Sequence, residues 1–220
     1  MGAAAGREGG PWGRTGGAAC PIGMLGQSPT VLIARKALNL RNFPDLVAAA
    51  KAKPGQLSFV GVQSYTGEYL ETMAGIRLNL ILYKGAGQAL TDLMGERIDM
   101  MVGTVSDMLQ HVQGGKFTAV ALNSPSAVPQ LPGVQPVADT IPNYRGGQWY
   151  GLFVPAKTPE AVVARLRTEL ARSVQAPGYA ALMAKLSMFG PDRDVAAFTQ
   201  EVRATLESFQ KARQLGRPAG

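Results

Sequence analysis

The stretch LSFVGVQSYTGEYLETMAGIRLNLILYKGAGQALTDLMGERIDMMV, residues 57–102, carries the clearest evidence of a fold class. Short apolar runs typical of strands alternate in it with segments of helical pattern, and a glycine follows each helical segment. The strands are expected at residues 57–62, 78–83 and 98–102, and the helices at residues 67–74 and 86–94. Strands that alternate with helices over short connections form a mostly parallel sheet covered by helices. We therefore predict an α/β unit.

The same alternation continues on both sides of this stretch. Residues 30–34 form another apolar run of strand type. Asn42 before Phe43-Pro44-Asp45 indicates a helix start, because it offers an amide that caps the helix, followed by a proline and a carboxylate in the first turn. Further along, the pattern predicts a helix at residues 106–113 and a strand at residues 117–122.

A proline-rich connection at residues 123–147 interrupts the alternation. After it, residues 149–154 read as a strand, and Thr158-Pro159-Glu160 reads as a helix start with a capping hydroxyl and a proline at the first helical position. Two more helices are expected, at residues 179–186 and from residue 195 onward. Because one strand cannot form a sheet alone, this segment must join strands elsewhere or cover the first unit.

The composition excludes several classes of protein. The chain has 220 residues, of which 46% are hydrophobic and 17% charged, unlike a disordered chain. A membrane-spanning helix needs about 20 consecutive apolar residues, and the sequence contains no such run. With Cys20 as the single cysteine and His111 as the single histidine, neither an internal disulfide nor a zinc site is expected. The net charge of +7 arises mainly from C-terminal helices in which acidic and basic residues alternate, so no nucleic-acid partner is predicted.

Residues 1–24 differ from the rest of the chain. They contain eight of the 27 glycines and show no hydrophobic period. They also lack the apolar segment of a signal peptide. We expect a disordered or non-native leader over residues 1–24.

No catalytic residues or cofactors are predicted. Ser106 and His111 are five residues apart, so on a helix they do not face each other. The segment Gly85-x-Gly87-x-x-Leu90 lacks the third glycine of a dinucleotide fingerprint and the spacing of a phosphate loop. A transcriptional regulator would need a helix-turn-helix before residue 30, which the glycine-rich leader cannot form.

Several motifs resemble one known family, the tripartite tricarboxylate transporter substrate-binding proteins, or Bug-type extracytoplasmic solute receptors. The most specific are the Tyr83-Lys84-Gly85 turn and the segment WYGLFVPAKTPE at residues 149–160. The other matching segments are FPDLVAAAKAKPG at residues 43–55, MAGI at 73–76, AGQALTDL at 86–93 and GGK at 114–116. Together they cover about residues 25–217.

The resemblance implies a fold and a role. The fold is α/β and of the periplasmic binding protein type II, with one complete α/β lobe at residues 25–145 and the C-terminal part of the other lobe at residues 146–217. The implied protein is a periplasmic receptor, although the chain as given lacks a signal peptide. It binds a small organic acid (a di- or tricarboxylate, an aromatic acid or an amino acid) between two lobes and delivers it to membrane transporter subunits.

Candidate ligand-binding residues follow the strands of the predicted sheet. In an open α/β sheet, ligands bind outside the carboxyl ends of the strands, where helix N-termini present amides to anions. The candidates at these turns, joined by one tryptophan from the second segment, are Gln63, Ser64, Tyr65, Thr66, Tyr83, Lys84, Gly85, Thr104 and Trp149. Lys84 either adds a positive charge or is an exposed turn lysine, and Trp149 either lines the cleft or belongs to a hinge core.

The chain also departs from the family pattern. The two glycine-rich loops of the family's first lobe are missing, so we expect an N-terminally truncated chain. Val60-Gly61-Val62-Gln63-Ser64 replaces a longer glycine-rich turn, and Gly103 stands where an aspartate is common. Since two lobes that close on a ligand provide the affinity of such receptors, we expect weak or no binding by this chain alone. The alternative is a truncated or decaying paralogue without a transport role.

Overall fold

The computed structural model describes residues 19–61, 64–124, 127–142, 144, 146–186, 188–191, 194–200, 202–203 and 206. The chain divides into two compact units. Unit 1 comprises residues 1–27 and 149–203, and unit 2 comprises residues 28–148 and 204–220.

Unit 2 contains a five-stranded sheet in the order β4-β3-β5-β2-β6. Its strands are β2 (Thr30–Arg35), β3 (Ser58–Val60), β4 (Asn79–Leu80), β5 (Met100–Thr104) and β6 (Phe117–Leu122). Strands β3, β4 and β5 are parallel to one another, whereas β2 is antiparallel to both of its neighbours, β5 and β6. Four of the five strands therefore run in the same direction, as the alternation predicts. The reversed strand β2, next to the edge strand β6, is not revealed by the sequence pattern.

Helices cover this sheet: α1 (Phe43–Ala52), α2 (Ser64–Ala74), α3 (Ala86–Met94) and α4 (Val105–Gln113). Helix α1 begins as predicted, because the Asn42 side chain accepts a 2.9 Å hydrogen bond from the Asp45 N–H. One buried cluster packs around Phe59 and Leu46 and the other around Met101 and Leu93. Both faces of the sheet are thus apolar, which is typical of α/β proteins.

Unit 1 contains a two-stranded sheet that the sequence analysis missed. Strand β1 (Ala19–Ser28) pairs with β7 (Gln148–Pro155). The expected leader is therefore wrong for residues 19–24, because Ile22 and Met24 of β1 are buried. Residues 1–18 lie outside the described residues. Strand β7, which the sequence analysis expected to join strands elsewhere, therefore pairs with β1, a strand in the glycine-rich segment where none was predicted.

Unit 1 also contains the helices α5 (Glu160–Val174) and α6 (Pro177–Lys185), and residues 195–200 are helical as well. The predicted start of α5 is wrong in detail. Pro159 is the N-cap, and the Thr158 hydroxyl donates a 2.7 Å hydrogen bond back to the Pro155 carbonyl instead of capping the helix. None of the helices among the described residues is long and apolar enough to cross a membrane.

Candidate functional site

The carboxyl ends of three neighbouring parallel strands form the candidate site in unit 2. Strands β4, β3 and β5 are adjacent, and each leads into a helix: α3 after β4, α2 after β3 and α4 after β5. The N-termini of these helices therefore follow strand ends at one edge of the sheet. Backbone N–H groups at such N-termini favour anions. We call this edge of unit 2 the ligand edge.

The turn after β3 holds four of the predicted residues. Ser64 and Tyr65 open α2, and Thr66 is half-buried in its first turn. Gln63 lies outside the described residues, as do the side chains of Ser64 and Tyr65. Gly67, in the same turn, explains why α2 lies close to the sheet, because a Cβ there would be 2.4 Å from a methyl group of Leu80.

Tyr83 follows β4 and is held by side chains within unit 2. Its hydroxyl donates a 2.6 Å hydrogen bond to Asp92 Oδ2, and Arg97 donates a 2.9 Å hydrogen bond to Asp92 Oδ1. The hydrogen bond to Asp92 raises the pKa of Tyr83, and the same bond, followed by the one from Arg97, lowers the pKa of Asp92. These bonds fix the turn that carries Lys84.

Lys84 and Gly85 form the most open part of the ligand edge. Both are exposed, and Gly85 is the N-cap of α3 in an extended conformation, with φ −170° and ψ 156°. No side chain caps this helix N-terminus. Its first amides, and the side chain of Lys84 one residue before the N-cap, are donors of the kind that suits an anionic ligand.

Thr104 ends β5 and caps α4. Its hydroxyl accepts a 3.3 Å hydrogen bond from the Asp107 N–H and lies 2.9 Å from the Ser106 hydroxyl. Ser106, which the sequence analysis did not select, is thus a second hydroxyl at this edge. His111 packs instead against the ring of Phe117, with 5.9 Å between the ring centroids. Ser106 and His111 consequently form no catalytic pair.

Further polar residues at the ligand edge were missed by the sequence analysis. Asn123 and Ser124 directly follow β6, and Thr30 begins the antiparallel β2, so all three lie at the same edge. They are buried and bonded to one another. Two polar residues directly after an apolar strand could have indicated a site at this strand end. The sequence analysis instead assigned both residues to the proline-rich connection that begins there.

Trp149 belongs to unit 1, unlike the other candidates. Its indole ring meets Phe198 edge to face, with 5.2 Å between centroids, and lies 6.2 Å from Phe153. Phe198 is fully buried. Trp149 is therefore part of an aromatic cluster within unit 1.

The chemistry of the ligand edge is that of binding. Hydroxyls, backbone amides and one lysine can hold an anion, but no three His, Cys, Asp or Glu side chains come together as a metal site among the residues that the structure describes. These features define a class, that of small-molecule binding proteins built on α/β units.

The family within that class is shown by comparison with known proteins. The chain belongs to the tripartite tricarboxylate transporter family of receptors, TctC, whose family model matches residues 17–214. It is 30% identical over 164 residues to a UPF0065 protein in the tcbD-tcbE intergenic region of Pseudomonas sp. strain P51, covering 71% of this chain and 49% of that protein. It is 27% identical over 161 residues to protein BugT of Bordetella pertussis, covering 70% of this chain and 49% of that protein. The chain thus spans about half the length of these relatives.

Solved structures agree with this assignment. The periplasmic binding protein BugD matches with a TM-score of 0.68 and 25% identity, covering 93% of this chain and 71% of that one. An R. palustris protein with adipate matches with a TM-score of 0.69 and 21% identity, covering 91% and 71%. MatC from Rhodopseudomonas palustris with bound malate matches with a TM-score of 0.67 and 22% identity, covering 90% and 70%. The fold is that of type II periplasmic binding proteins, and the family consists of receptors rather than enzymes, as predicted.

Proposed function

We propose that this chain is the ligand-binding part of an extracytoplasmic receptor for small carboxylates, which it delivers to a membrane transporter of the tripartite tricarboxylate type. The observation that carries the proposal is the ligand edge, where α2, α3 and α4 begin side by side after three adjacent strands. Family membership supports the receptor role.

The donors of the ligand edge support a carboxylate as the ligand. The N-terminus of α3 has no side-chain cap, so its first amides are available to carboxylate oxygens. Lys84 would add a charge-assisted hydrogen bond, which is stronger than a neutral one. Thr104 and Ser106 would contribute hydroxyl contacts from the neighbouring strand end.

The solved relatives suggest which acids to test first. Two of the matched structures hold adipate and malate, both of which are dicarboxylates. For this chain we propose the same class, small organic acids with one or more carboxylates. The remaining candidates, Gln63, Ser64, Tyr65, Thr66, Tyr83, Gly85 and Trp149, would contact such an acid or support residues that do.

A second proposal is that the chain is a truncated or decaying receptor paralogue with little binding and no transport role. The observation that favours it is Gly103 in β5, which stands where an aspartate is common in the family. A Cβ there would lie 2.9 Å from Cε of Met108, so the methionine occupies the space that a polar side chain would need. Affinity should then be low although the strand ends of the ligand edge are in place.

Titration calorimetry of the purified chain with adipate and malate tests both proposals. We expect weak but saturable binding, with dissociation constants of about 1 mM. Lys84→Ala should weaken binding about tenfold, because one charge-assisted hydrogen bond is lost. Lys51→Ala, which removes an exposed lysine of α1, is the matched control and should leave the affinity unchanged. Absence of binding by any acid in a wider carboxylate panel would favour the decaying paralogue.

A further inference from the structure

A cavity of about 570 Å³ opens on unit 2 at the edge of the sheet opposite the ligand edge. Lys36 directly follows the end of β2, and Thr118 is the second residue of β6. Because β2 and β6 are antiparallel neighbours, the end of the one lies beside the start of the other. The residues that line the cavity are Lys36, Asn39, Leu40, Arg41 and Thr118. Its volume is within the range of about 300–1,000 Å³ that is typical of small-molecule sites.

The lining of this cavity, which we call the basic cavity, combines two positive charges with neutral hydrogen-bonding groups. Lys36 and Arg41 are both exposed and provide an ammonium and a guanidinium group. Asn39 adds an exposed amide, and Thr118 adds the hydroxyl of a half-buried residue. Leu40 is only 5% exposed and is the apolar part of the lining. None of these lining residues is acidic, so the basic cavity favours an anion over a cation.

The guanidinium of Arg41 is held by the first turn of α1. Asp45 Oδ2 accepts a 3.0 Å hydrogen bond from the Arg41 N–H and a 3.1 Å hydrogen bond from Arg41 Nε. These bonds fix one side of the guanidinium and offset part of its charge. Its two terminal nitrogens have no hydrogen-bond partner among the residues that the structure describes. Because such nitrogens can bind two oxygens of one phosphate or carboxylate, Arg41 is a preoriented donor for an oxyanion.

The ammonium of Lys36 lies against the turn Gly114-Gly115-Lys116 between α4 and β6. A Cβ on Gly115 would lie 3.2 Å from Lys36 Nζ, so a side chain there would crowd the ammonium. Within the described part of the chain, Lys36 forms no ion pair, and its charge remains available to a ligand. Lys116 is exposed in the same turn and adds a further positive charge to this edge of the sheet.

A tight turn brings Lys36 and Arg41 to the same cavity. Residues Lys36–Leu38 form a 3₁₀ turn, and the Asn39 N–H donates a 2.9 Å hydrogen bond to the Lys36 carbonyl. Asn39 itself adopts the left-handed conformation, with φ 53° and ψ 30°. A right-handed turn followed by a left-handed residue directs successive backbone N–H groups to one side and forms a concavity that binds anions. The backbone and the side chains of this turn thus suit the same kind of ligand.

We propose that the basic cavity is a second binding site, which takes the phosphate group of a phosphate ester. A phosphate monoester carries a charge of about −1.5 to −2 at pH 7, which matches two cations better than a single carboxylate does. Its three terminal oxygens can accept hydrogen bonds from Lys36, Arg41 and the Thr118 hydroxyl together. A cavity of this volume also has room for the organic part of the ester.

The ester is either a small soluble molecule or the headgroup of an anionic phospholipid, since both present the same phosphate. None of the residues that line the basic cavity belongs to the ligand edge. The inference therefore does not rest on the proposed binding of carboxylates.

Nuclear magnetic resonance of the full chain tests the site, with glycerol 3-phosphate as the probe and the ionic strength kept constant with sodium chloride. The amides of Asn39 and Thr118 should shift in a saturable way, with a dissociation constant of about 1 mM. The amide of Gly85 reports on the ligand edge and should keep its position. Saturable shifts at Gly85 without shifts at Asn39 and Thr118 would overturn the proposal.

Charge-matched variants separate the basic cavity from the general attraction between cations and phosphate. Lys36→Gln combined with Arg41→Gln should weaken binding about tenfold or more, because two charged donors are lost. Lys51→Gln combined with Lys53→Gln removes two exposed lysines outside the cavity and should leave the affinity unchanged. Equal weakening in both double variants would overturn the proposal. Lys36→Gln alone keeps the Arg41–Asp45 pair and should also weaken binding, so it serves if the first double variant does not fold.

Cosedimentation with vesicles distinguishes the two sources of the phosphate. Vesicles of phosphatidylcholine mixed with phosphatidic acid present phosphate monoesters, whereas vesicles of phosphatidylcholine alone do not. Binding to the mixed vesicles that is lost in the cavity double variant and kept in the control assigns a phospholipid headgroup. Binding of glycerol 3-phosphate without binding to vesicles assigns a soluble ester. Absence of glycerol 3-phosphate binding would overturn the proposal, whatever the outcome of the carboxylate titration.

Discussion

Asp99 accepts a 2.7 Å hydrogen bond on Oδ1 from Nε of Arg35, which joins the residue before β5 to the last residue of β2. Its other oxygen, Oδ2, accepts bonds from the N–H and the hydroxyl of Ser58 at the start of β3, at 2.8 and 2.9 Å. One carboxylate therefore links three strands at the edge of the sheet opposite the ligand edge. The side chain of Asp99 is 15% exposed, so these bonds are largely shielded from water.

Removal of the Asp99 charge should destabilise unit 2 in a pH-dependent way. Burial opposes ionisation, but the bonds from Ser58 and Arg35 outweigh it and hold the pKa of Asp99 below its ordinary value of 3.8. Because the pKa is lowered on folding, the carboxylate contributes its full stability above the unfolded value and loses it as the pH falls through the folded value. Asp99→Asn should lower the free energy of unfolding by about 1–3 kcal/mol at pH 7.

Urea denaturation of both proteins at pH 7 and pH 3 checks this prediction. The difference between wild type and Asp99→Asn should become smaller at pH 3, where protonation begins to remove the charge from the wild type as well. Asp45→Asn is a control on the exposed Arg41–Asp45 pair, whose loss should destabilise the protein less than the loss of the Asp99 charge. A difference that is the same at both pH values would contradict the assigned role of the carboxylate.

Gly103 and Met108 should be energetically coupled. A Cβ at Gly103 would lie 2.9 Å from Cε and 3.0 Å from Cγ of Met108, so the methionine fills the space that a side chain would need. Gly103→Asp, the residue common in the family, should therefore lower the free energy of unfolding by about 2 kcal/mol or more, from the clash and a buried charge. In Met108→Ala the same substitution should cost less, because the methionine side chain is gone.

A double-mutant cycle measured by chemical denaturation gives the coupling between these two positions. We expect an interaction free energy of about 1 kcal/mol, which means that the double variant loses less stability than the sum of the losses in the two single variants. Gly103→Ala is a milder probe, since the flexible methionine can move away from a methyl group. Strict additivity of the two single variants would contradict the packing of Met108 against Gly103.

The strand and helix alternation of unit 2 was predictable because each element there has its own local pattern. The direction of β2 was not predictable, since its apolar run has no signature that distinguishes parallel from antiparallel pairing. Strand β1 was missed for a physical reason. A Cβ at Gly26 would lie 2.7 Å from the Phe189 carbonyl oxygen, so this glycine permits close approach of two backbones and does not indicate a loop.

For the candidate site, the sequence predicted which turns carry polar residues but not which side chains are bonded to one another. Lys84, Gly85 and Thr104 could be selected because they follow apolar runs. The structure places Lys84 and Gly85 after β4, and Thr104 is the last residue of β5. The buried bonding of Asn123 could not be read from the sequence, since its partners Thr30 and Tyr144 are 93 and 21 residues away. Contacts of that separation depend on the completed fold.

Asn42 should contribute to stability as the cap of α1. Its side chain is the acceptor for the Asp45 N–H, one of the amides that a helix N-terminus leaves unbonded. Asn42→Ala should lower the free energy of unfolding by about 1 kcal/mol, whereas Asn42→Ser should retain most of the stability. Urea denaturation followed by circular dichroism distinguishes the two variants. Equal losses in both would show that the amide acts through a contact other than the cap.

Gly151 should be required for the aromatic cluster of unit 1. A Cβ at this position would lie 2.5 Å from Cζ of Phe198 and 3.0 Å from the ring of Phe153. Phe198 is only 1% exposed, so its ring can move only by displacing the side chains packed around it. Gly151→Ala should therefore cost about 1–3 kcal/mol through overpacking and displace Phe198 from the edge of Trp149.

Fluorescence of Trp149 in a Trp12→Phe background measures this displacement, because Trp149 is then the single tryptophan of the chain. We expect a red shift and a lower melting midpoint in Gly151→Ala, since water gains access to the indole as the ring of Phe198 moves. Gly178→Ala is the matched control. Gly178 is the second residue of α6, and outside the backbone of that helix no atom lies within 4 Å of an added Cβ. Alanine there should therefore leave both the fluorescence and the melting midpoint unchanged. If Gly151→Ala behaved like the control, the edge-to-face packing of Trp149 on Phe198 would not depend on the absence of a side chain at residue 151.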